Sequence, residues 1–352
     1  MVVVEKPEEL QELVRSQPRL RVTGGGTKPA LSHSANASLA KLSGVRKYNP
    51  AEFTFTAMAG TRIDEVETIL AERQQYLPFE PPFSASGATL GGTVAAGLSG
   101  SGRLRFGGVR DFLLGAKIVT GEGISVATGS QVVKNAAGFD LPKLMVGGQG
   151  CYGVMTELTF KVFPKPQHSA TVVFEAETVG QAVALLRKLA GSGLDLAALD
   201  LDADNRLWAR VCGFRSAVLR RTERVRQSAP TPGRILTDDE DAQFWNDCQE
   251  FRWLPDGRDL VKVAITPKCI EKLALLLPHV ARRFSVGGNL AWIGWPTGEN
   301  PAQLRHVLCE LECPGLFVTG TPSTPYVGPR VDNLFAQRLR AAIDPHGKFA
   351  VS

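Results

Sequence analysis

Apolar and polar positions recur at two different periods along this 352-residue chain, and each change of period marks an element. Pro7 opens a helix in which Leu10, Leu13 and Val14 fall at helical spacing and form one buried stripe. Arg19 to Val22 reads as a strand running directly into Gly24-Gly25-Gly26-Thr27. Phe53 to Ala57 alternates as a strand does and ends at Gly60. Thr61 is placed to cap a second helix, with Asp64 three residues on and Ile63, Val66 and Leu70 facing inward. The N-terminal stretch therefore reads as helix, strand, loop, strand, helix.

From Gly87 to Gly153 the texture changes. Almost half of the 36 glycines lie there, and large apolar side chains are thin before Phe112. Leu113 to Thr120 and Ile124 to Thr128 then read as a hairpin around Gly121-Glu122-Gly123. Val154 to Phe163 alternates again and stops at Pro164-Lys165-Pro166, a break that reads as a domain boundary. Beyond it the pattern predicts strand (Ala170 to Glu175), helix (Val179 to Leu189), two strands (Leu196 to Leu201, Leu207 to Val211) and a basic helix around Leu219. A strand (Leu260 to Ile265), a helix (Ile270 to Phe284) and a strand (Ala291 to Trp295) follow. Strand-helix-strand-strand-helix-strand is the ferredoxin-like order. No internal repeat or low-complexity tail stands out.

Length agrees with two cores, because single cores stop growing near ~250–300 residues. The net charge of +5 is scattered. Arg220, Arg221, Arg224 and Arg226 form the densest group and fall on more than one helical face, which reads as solvated surface. With no basic stripe interleaved with aromatics, nucleic-acid binding is not expected. Six dispersed cysteines and no CxxC leave a zinc ribbon or ferredoxin-type cluster without ligands, so no metal is expected. Cys309 and Cys313, four apart in a helix-like stretch, read as a pair of buried thiols. Glu5, Lys6 and Pro7 spoil a signal-peptide core, and the uncharged stretch from Pro81 to Gly102 is too poor in Leu and Ile to span a bilayer. The expectation is a reduced, cytoplasmic protein with no transmembrane segment, reaching a membrane, if at all, through a partner.

Glycine serves where a backbone needs positive φ or must approach a ligand closer than a Cβ allows. Gly24 to Thr27, leaving a strand, could aim successive N–H groups at one anion; a plain turn is the alternative, and both stay open. Thr27-Lys28-Pro29 is the wrong order for a P-loop. Gly148-Gln149-Gly150-Cys151-Tyr152-Gly153 satisfies GxGxxG, but its exit, Val154 to Phe160, is strand-like, so a Rossmann site is not expected. Gly87 to Gly100 is built from small residues that would let backbone lie flat on an extended cofactor, or pack a close helix, or form a loop. Three glycine clusters in one domain with few polar catalytic residues suit a long, backbone-bound cofactor.

The order Val22-Thr23-Gly24-Gly25-Gly26-Thr27, Pro81-Pro82, Thr89-Leu90-Gly91-Gly92-Thr93-Val94-Ala95 resembles the FAD-binding (PCMH-type) domain of the vanillyl-alcohol oxidase and p-cresol methylhydroxylase superfamily. Lys134 to Leu141 and Gly147 to Thr156 continue the match in the same order. Within the superfamily, Phe244-Trp245, Gly287-Gly288 to Trp292, and Asp344-Pro345-His346-Gly347-Lys348-Phe349 resemble the FAD-binding E subunits of glycolate oxidases. The resemblance implies an α+β fold: a two-subdomain FAD-binding PCMH-type domain over residues 1–166, then a ferredoxin-like α/β cap and subunit-interaction domain over 167–352. It implies FAD with its pyrophosphate on the glycine turn and its adenine side near the Gly150 to Thr156 strand. The residues it assigns to the cofactor are Thr23, Gly24, Gly25, Gly26, Thr27, Pro82, Thr89, Gly91, Gly92, Thr93, Gly97, Gly100, Arg103, Gly107, Asp140, Gly150, Gly153 and Val154. The glycine turn carries no His or Cys and His33 lies past it, so the FAD is expected to be noncovalent.

The implied activity is flavin-mediated oxidation of a small 2-hydroxy acid to a 2-oxo acid, with a larger FAD-containing sister subunit and an iron–sulfur subunit as partners. That reaction needs a base for the hydroxyl proton and a cation for the carboxylate. His33, His168, His279, His306 and His346 are isolated, and the chain ends at Ala350-Val351-Ser352 rather than in an Asn-Pro-Gly-Arg-like tail. No catalytic residue is assigned. A flavin dehydrogenase and a flavin-carrying assembly or electron-relay subunit both remain open.

Overall fold

Pro7 takes the first position of α1 (Pro7–Ser16), where a missing N–H leaves no bond unmade, and Leu10 and Val14 bury its inner stripe. In the computed structural model, residues 1–32, 34–129, 140–230, 233–330 and 334–349 are described. They form two units. The first takes the described residues of 1–100, 107–165 and 331–352, and the second those of 101–106 and 166–330.

In the first unit, β1 (Val2–Val3), β2 (Val22–Thr23) and β3 (Ala37–Ser38) make a small parallel sheet in the order β1-β3-β2. The short helix α2 (Pro29–Ser32) lies between β2 and β3. A five-stranded antiparallel sheet follows, built from β4 (Val45–Asn49), β5 (Thr54–Met58) and three later strands. Helix α3 (Ile63–Ala71) buries Ile63, Val66 and Leu70 as its spacing predicts. Thr61 does not cap it: its hydroxyl is engaged with both backbone groups of Gly44, and Arg62 stands at the cap position. The strand β6 (Gln75–Tyr76) and the glycine-rich helix α4 (Leu90–Ala96) come next. A turn of helix, α5 (Arg103–Phe106), belongs to the second unit. Helix α6 (Val109–Phe112) leads into β7 (Leu113–Val119), which forms the expected hairpin with β8 (Ser125–Gly129). Past α7 (Leu141–Met145), β9 (Val154–Lys161) completes the sheet in the order β4-β5-β9-β7-β8. Phe79 bridges it, packing on Phe112 and Phe160 at 5.6 and 6.1 Å between centroids. The short strand β10 (Phe163–Pro164) pairs with β6.

The second unit is one nine-stranded antiparallel sheet. Its first half runs β11 (His168–Glu175), α8 (Val179–Ala190), β12 (Ala198–Asp202), β13 (Arg206–Gly213), α9 (Arg215–Arg226), β14 (Arg234–Thr237). After α10 (Asp238–Gln249) comes the same succession: β15 (Arg258–Ala264), α11 (Ile270–Leu276), β16 (Ala281–Ser285), β17 (Leu290–Pro296), α12 (Ala302–Glu310), β18 (Gly315–Phe317). The sheet order is β14-β11-β13-β12-β16-β17-β15-β18, extended by β19 (Tyr326–Val327). Each half is thus a ferredoxin-like βαββαβ unit in the order fourth-first-third-second, and the halves join edge to edge where Leu201 pairs Phe284. The helix expected over residues 270 to 284 is two elements. Pro278 ends α11, and Ala281–Ser285 pairs as a strand with β17. Cys309 is exposed on α12 while Cys313 is buried beyond its end, so they are not a buried pair within one helix.

The chain then returns. Helix α13 (Leu334–Ile343) and the turn after it belong to the first unit, where the reading from sequence had kept 167–352 as one domain. The reason is the tail's bonding: Leu20 N donates to Lys348 O at 2.8 Å, and Phe349 is 4% exposed in a core with Leu10, Val14, Leu20 and Val154. No described helix is long and apolar enough to cross a membrane.

Candidate FAD site

A cavity with about 1060 Å³ of empty space, counting its open mouth, lies in the first unit where β2, α4 and the entry to β9 converge. It is lined by Leu20 to Lys28, by Thr89, Gly91, Gly92, Ala95 and Ala96, and by Gln149, Gly150, Gly153, Val154 and Met155; Phe349 also faces it. The glycine turn is held by close approach of backbone. A Cβ on Gly24 would sit 2.2 Å from Thr89 Oγ1, and one on Gly25 would sit 1.8 Å from Gly87 O. Thr89 caps α4 by accepting from Gly92 N at 3.3 Å. Gly26 differs, with φ of +72° and nothing within 4 Å of where a Cβ would be.

Among the described residues, the amides of Gly24, Gly25, Gly26 and Thr27 donate to no protein acceptor. Consecutive unpaired N–H groups facing a cavity are an anion nest. Arg21 and Lys28 add positive charge, and no Asp, Glu or His stands among the described lining residues. Lys28 is buried, with its ammonium 3.0 Å from Thr27 Oγ1 and 5.5 Å from the centre of the Phe83 ring. Thr93 Oγ1, on the buried side of α4, has no partner among the described residues.

Of the residues expected at the cofactor, the structure brings together Thr23, Gly24, Gly25, Gly26, Thr27, Thr89, Gly91, Gly92, Gly150, Gly153 and Val154 on this one cavity. Others do not line it and have structural work instead. Gly97 is the left-handed C-cap of α4, and Gly100 packs on the Glu80 carbonyl. Gly107 crowds the Asp111 carboxylate, while Asp140 caps α7. Thr93 and Pro82 are buried beside the site rather than on it. Arg103 belongs to the second unit. Within the Lys134 to Leu141 motif, Lys134 to Phe139 lie outside the described residues, as does His33. Lys28, Gln149 and Phe349 were missed. Lys28 adjoins the turn and Gln149 sits between two glycines, so proximity was a usable signal; Phe349 gave none, being more than three hundred residues away in sequence.

Residues 1–129 match the FAD binding domain family. The chain is 34% identical over 247 residues to "Glycolate oxidase subunit GlcE" of Escherichia coli (strain K12), covering 69% of this chain and 67% of that protein. This chain belongs to the FAD-binding PCMH-type family. Its cofactor is FAD and its class is FAD-dependent oxidoreductase. Other members of the family match over shorter spans. The "D-2-hydroxyglutarate dehydrogenase" of Xanthomonas citri pv. viticola (strain LMG 965 / NCPPB 2475 / ICMP 3867 / CFBP 7660) is 31% identical over 46% of this chain and 36% of its own length. The "D-lactate dehydrogenase [cytochrome], mitochondrial" of Arabidopsis thaliana is 35% identical over 39% of this chain and 24% of its own length. The matched segments thus span well under half of these two dehydrogenases. The fold matches a solved alkyldihydroxyacetonephosphate synthase at a TM-score of 0.71, with 16% identity, over 98% of this chain and 75% of that one. The cavity fits the family's cofactor: a nest of unpaired amides, two cations and, among the described lining residues, no carboxylate suit a dianionic pyrophosphate.

Proposed function

We propose that this chain is the FAD-binding subunit of a glycolate oxidase-like 2-hydroxy-acid dehydrogenase complex. Its partners in this reading are a larger FAD-containing sister subunit and an iron–sulfur subunit, since the chain has no CxxC of its own. The observation that carries the reading is the unpaired amide run Gly24 to Thr27 facing the cavity beside Lys28. In it, those amides and the Lys28 ammonium hold the pyrophosphate noncovalently, Thr89 fixes the approach of α4, and Phe349 and Met155 exclude water from the wall. Bound FAD supplies a two-electron acceptor for oxidation of the hydroxy acid. Denaturation in acid should leave the yellow colour in the supernatant; colour in the protein pellet would overturn noncovalent attachment.

A second reading is favoured by one feature of the cavity: among its described lining residues there is no His, Asp, Glu, Tyr or Cys to take a hydroxyl proton. In that reading the chain carries flavin for assembly or electron relay, and a sister subunit holds the substrate. The purified flavin-loaded chain, mixed anaerobically with glycolate or D-lactate, separates the two. Bleaching by substrate alone would sink the relay reading. Reduction that requires the partner subunits would sink autonomous oxidation.

A further inference from the structure

The tail that returns to the first unit is fastened by one buried carboxylate. Asp344 follows α13, and its two oxygens serve two successive backbone groups: Oδ1 accepts from Lys348 N at 2.9 Å and Oδ2 from Phe349 N at 2.7 Å. Gly347 bends the chain between them at a φ of +61°, its N–H donating to Asp344 O at 3.1 Å. Further bonds hold this loop to the unit. Lys348 O accepts from Leu20 N at 2.8 Å, and the Lys348 ammonium donates to Val14 O and Arg15 O in the last turn of α1. Gly121, in the turn of the β7–β8 hairpin, donates its N–H to Ile343 O at 3.1 Å, and a Cβ there would stand 2.1 Å from Asp344 Oδ1. Neither Asp344 nor Gly121 lines the FAD cavity, whereas Leu20 and Phe349 do.

We propose that Asp344 is a positioning residue for the cofactor: through the two tail amides it holds Phe349 in the cavity wall, and this fastening sets how slowly bound FAD leaves. The role rests on the FAD assignment and deepens it. Hydrogen bonds to a carboxylate are stronger than those to a neutral acceptor, and two from consecutive amides fix the direction of the backbone. That direction carries the Phe349 side chain into the core beside Leu20 and Val154, at the cavity. With one of the two acceptors lost, a buried backbone N–H is left without a partner. The tail then gains by leaving the core for water, and the wall opens with it. Such local opening costs less than unfolding the unit, so the effect falls on release of FAD more than on its uptake.

The test follows the rise of flavin fluorescence as FAD leaves the diluted full chain, beside thermal melts of the cofactor-free protein. Asp344→Asn keeps the volume but offers one oxygen where two are used, and should release FAD about tenfold faster. Gly121→Ala, which crowds the carboxylate from outside the cavity, should act in the same direction. Phe349→Ala removes the ring and leaves the bonds of Asp344 in place, so it decides the matter where Asp344→Asn folds poorly. It should release FAD as fast, and Phe349→Leu should recover most of the wild-type rate. Asp200→Ala, which breaks a pair with Arg283 in the second unit, should lower stability and leave release unchanged. Tail variants that melt lower yet release FAD at the wild-type rate would make Asp344 a core residue only and overturn the proposal. A wild-type chain that takes up no FAD would overturn the cofactor assignment itself, and the proposal with it.

Discussion

At the scale of single residues, the glycine turn is demanded twice, by its own packing and by what it faces. Gly25→Ala would drive a Cβ to 1.8 Å from the Gly87 carbonyl, which is backbone and cannot swing aside. The variant should lose about 1–3 kcal/mol of stability, read from thermal melts of the cofactor-free chain. Lys28→Met separates charge from packing. Removing a hydrogen bond to a charged group, about 1.5–3 kcal/mol, should weaken FAD binding roughly ten- to a hundredfold in a fluorescence titration. An unchanged affinity would take the pyrophosphate away from this turn. Much of this site was legible in sequence, because positive φ and close approach both select glycine and leave it visible. Gly97, Gly100 and Gly107 are less readable for the same reason: a helix cap, a close carbonyl or a close carboxylate selects glycine as strongly as a ligand does. Phe349 was illegible, since nothing in a Phe residue announces which distant wall it completes.

At the scale of elements, the second unit is held at its seam by a buried ion pair. Asp200 Oδ2, on β12, accepts from Arg283 Nε at 2.9 Å and from Ser101 and Ser285 hydroxyls at 2.9 and 2.8 Å. The Arg283 guanidinium also lies 4.9 Å from the Phe244 ring centre. Asp200→Ala would leave a buried cation uncompensated and should cost about 3–5 kcal/mol, seen as a lower urea midpoint. A cost below about 1 kcal/mol, the worth of an exposed pair, would show that apolar pairing alone joins the halves. Strand and helix periods exposed β11 to α9 of the first ferredoxin-like half but not β14, whose place the reading gave to Leu260 to Ile265, the first strand of the second half. The second was hidden because topology repeats without residues repeating, and because the apolar run from Ile270 to Phe284 hides a break at Pro278. Thr61 looked like a cap because sequence shows its type and not that Gly44 already holds its hydroxyl.

For the whole molecule, alkaline pH offers a readout of one buried amine. Burial, and then the charge of Arg103, lower Lys262 to about 8. The unfolded chain titrates that amine near ~10.4, so between these values it binds more protons than the folded one. Stability should therefore rise as pH goes from about 8 towards ~10.4, and Lys262→Met should flatten that rise in urea titrations across this range. The return of the chain to its first unit has a different consequence, for the order of events during synthesis. Leu20 and Phe349 are bridged across nearly the whole sequence, and both face the cofactor cavity. While the ribosome still holds the residues around 349, the glycine turn has been made but one side of its cavity has not. Retention of FAD should then await the residues around 349, and a nascent chain stalled before them should release FAD that a chain including them retains.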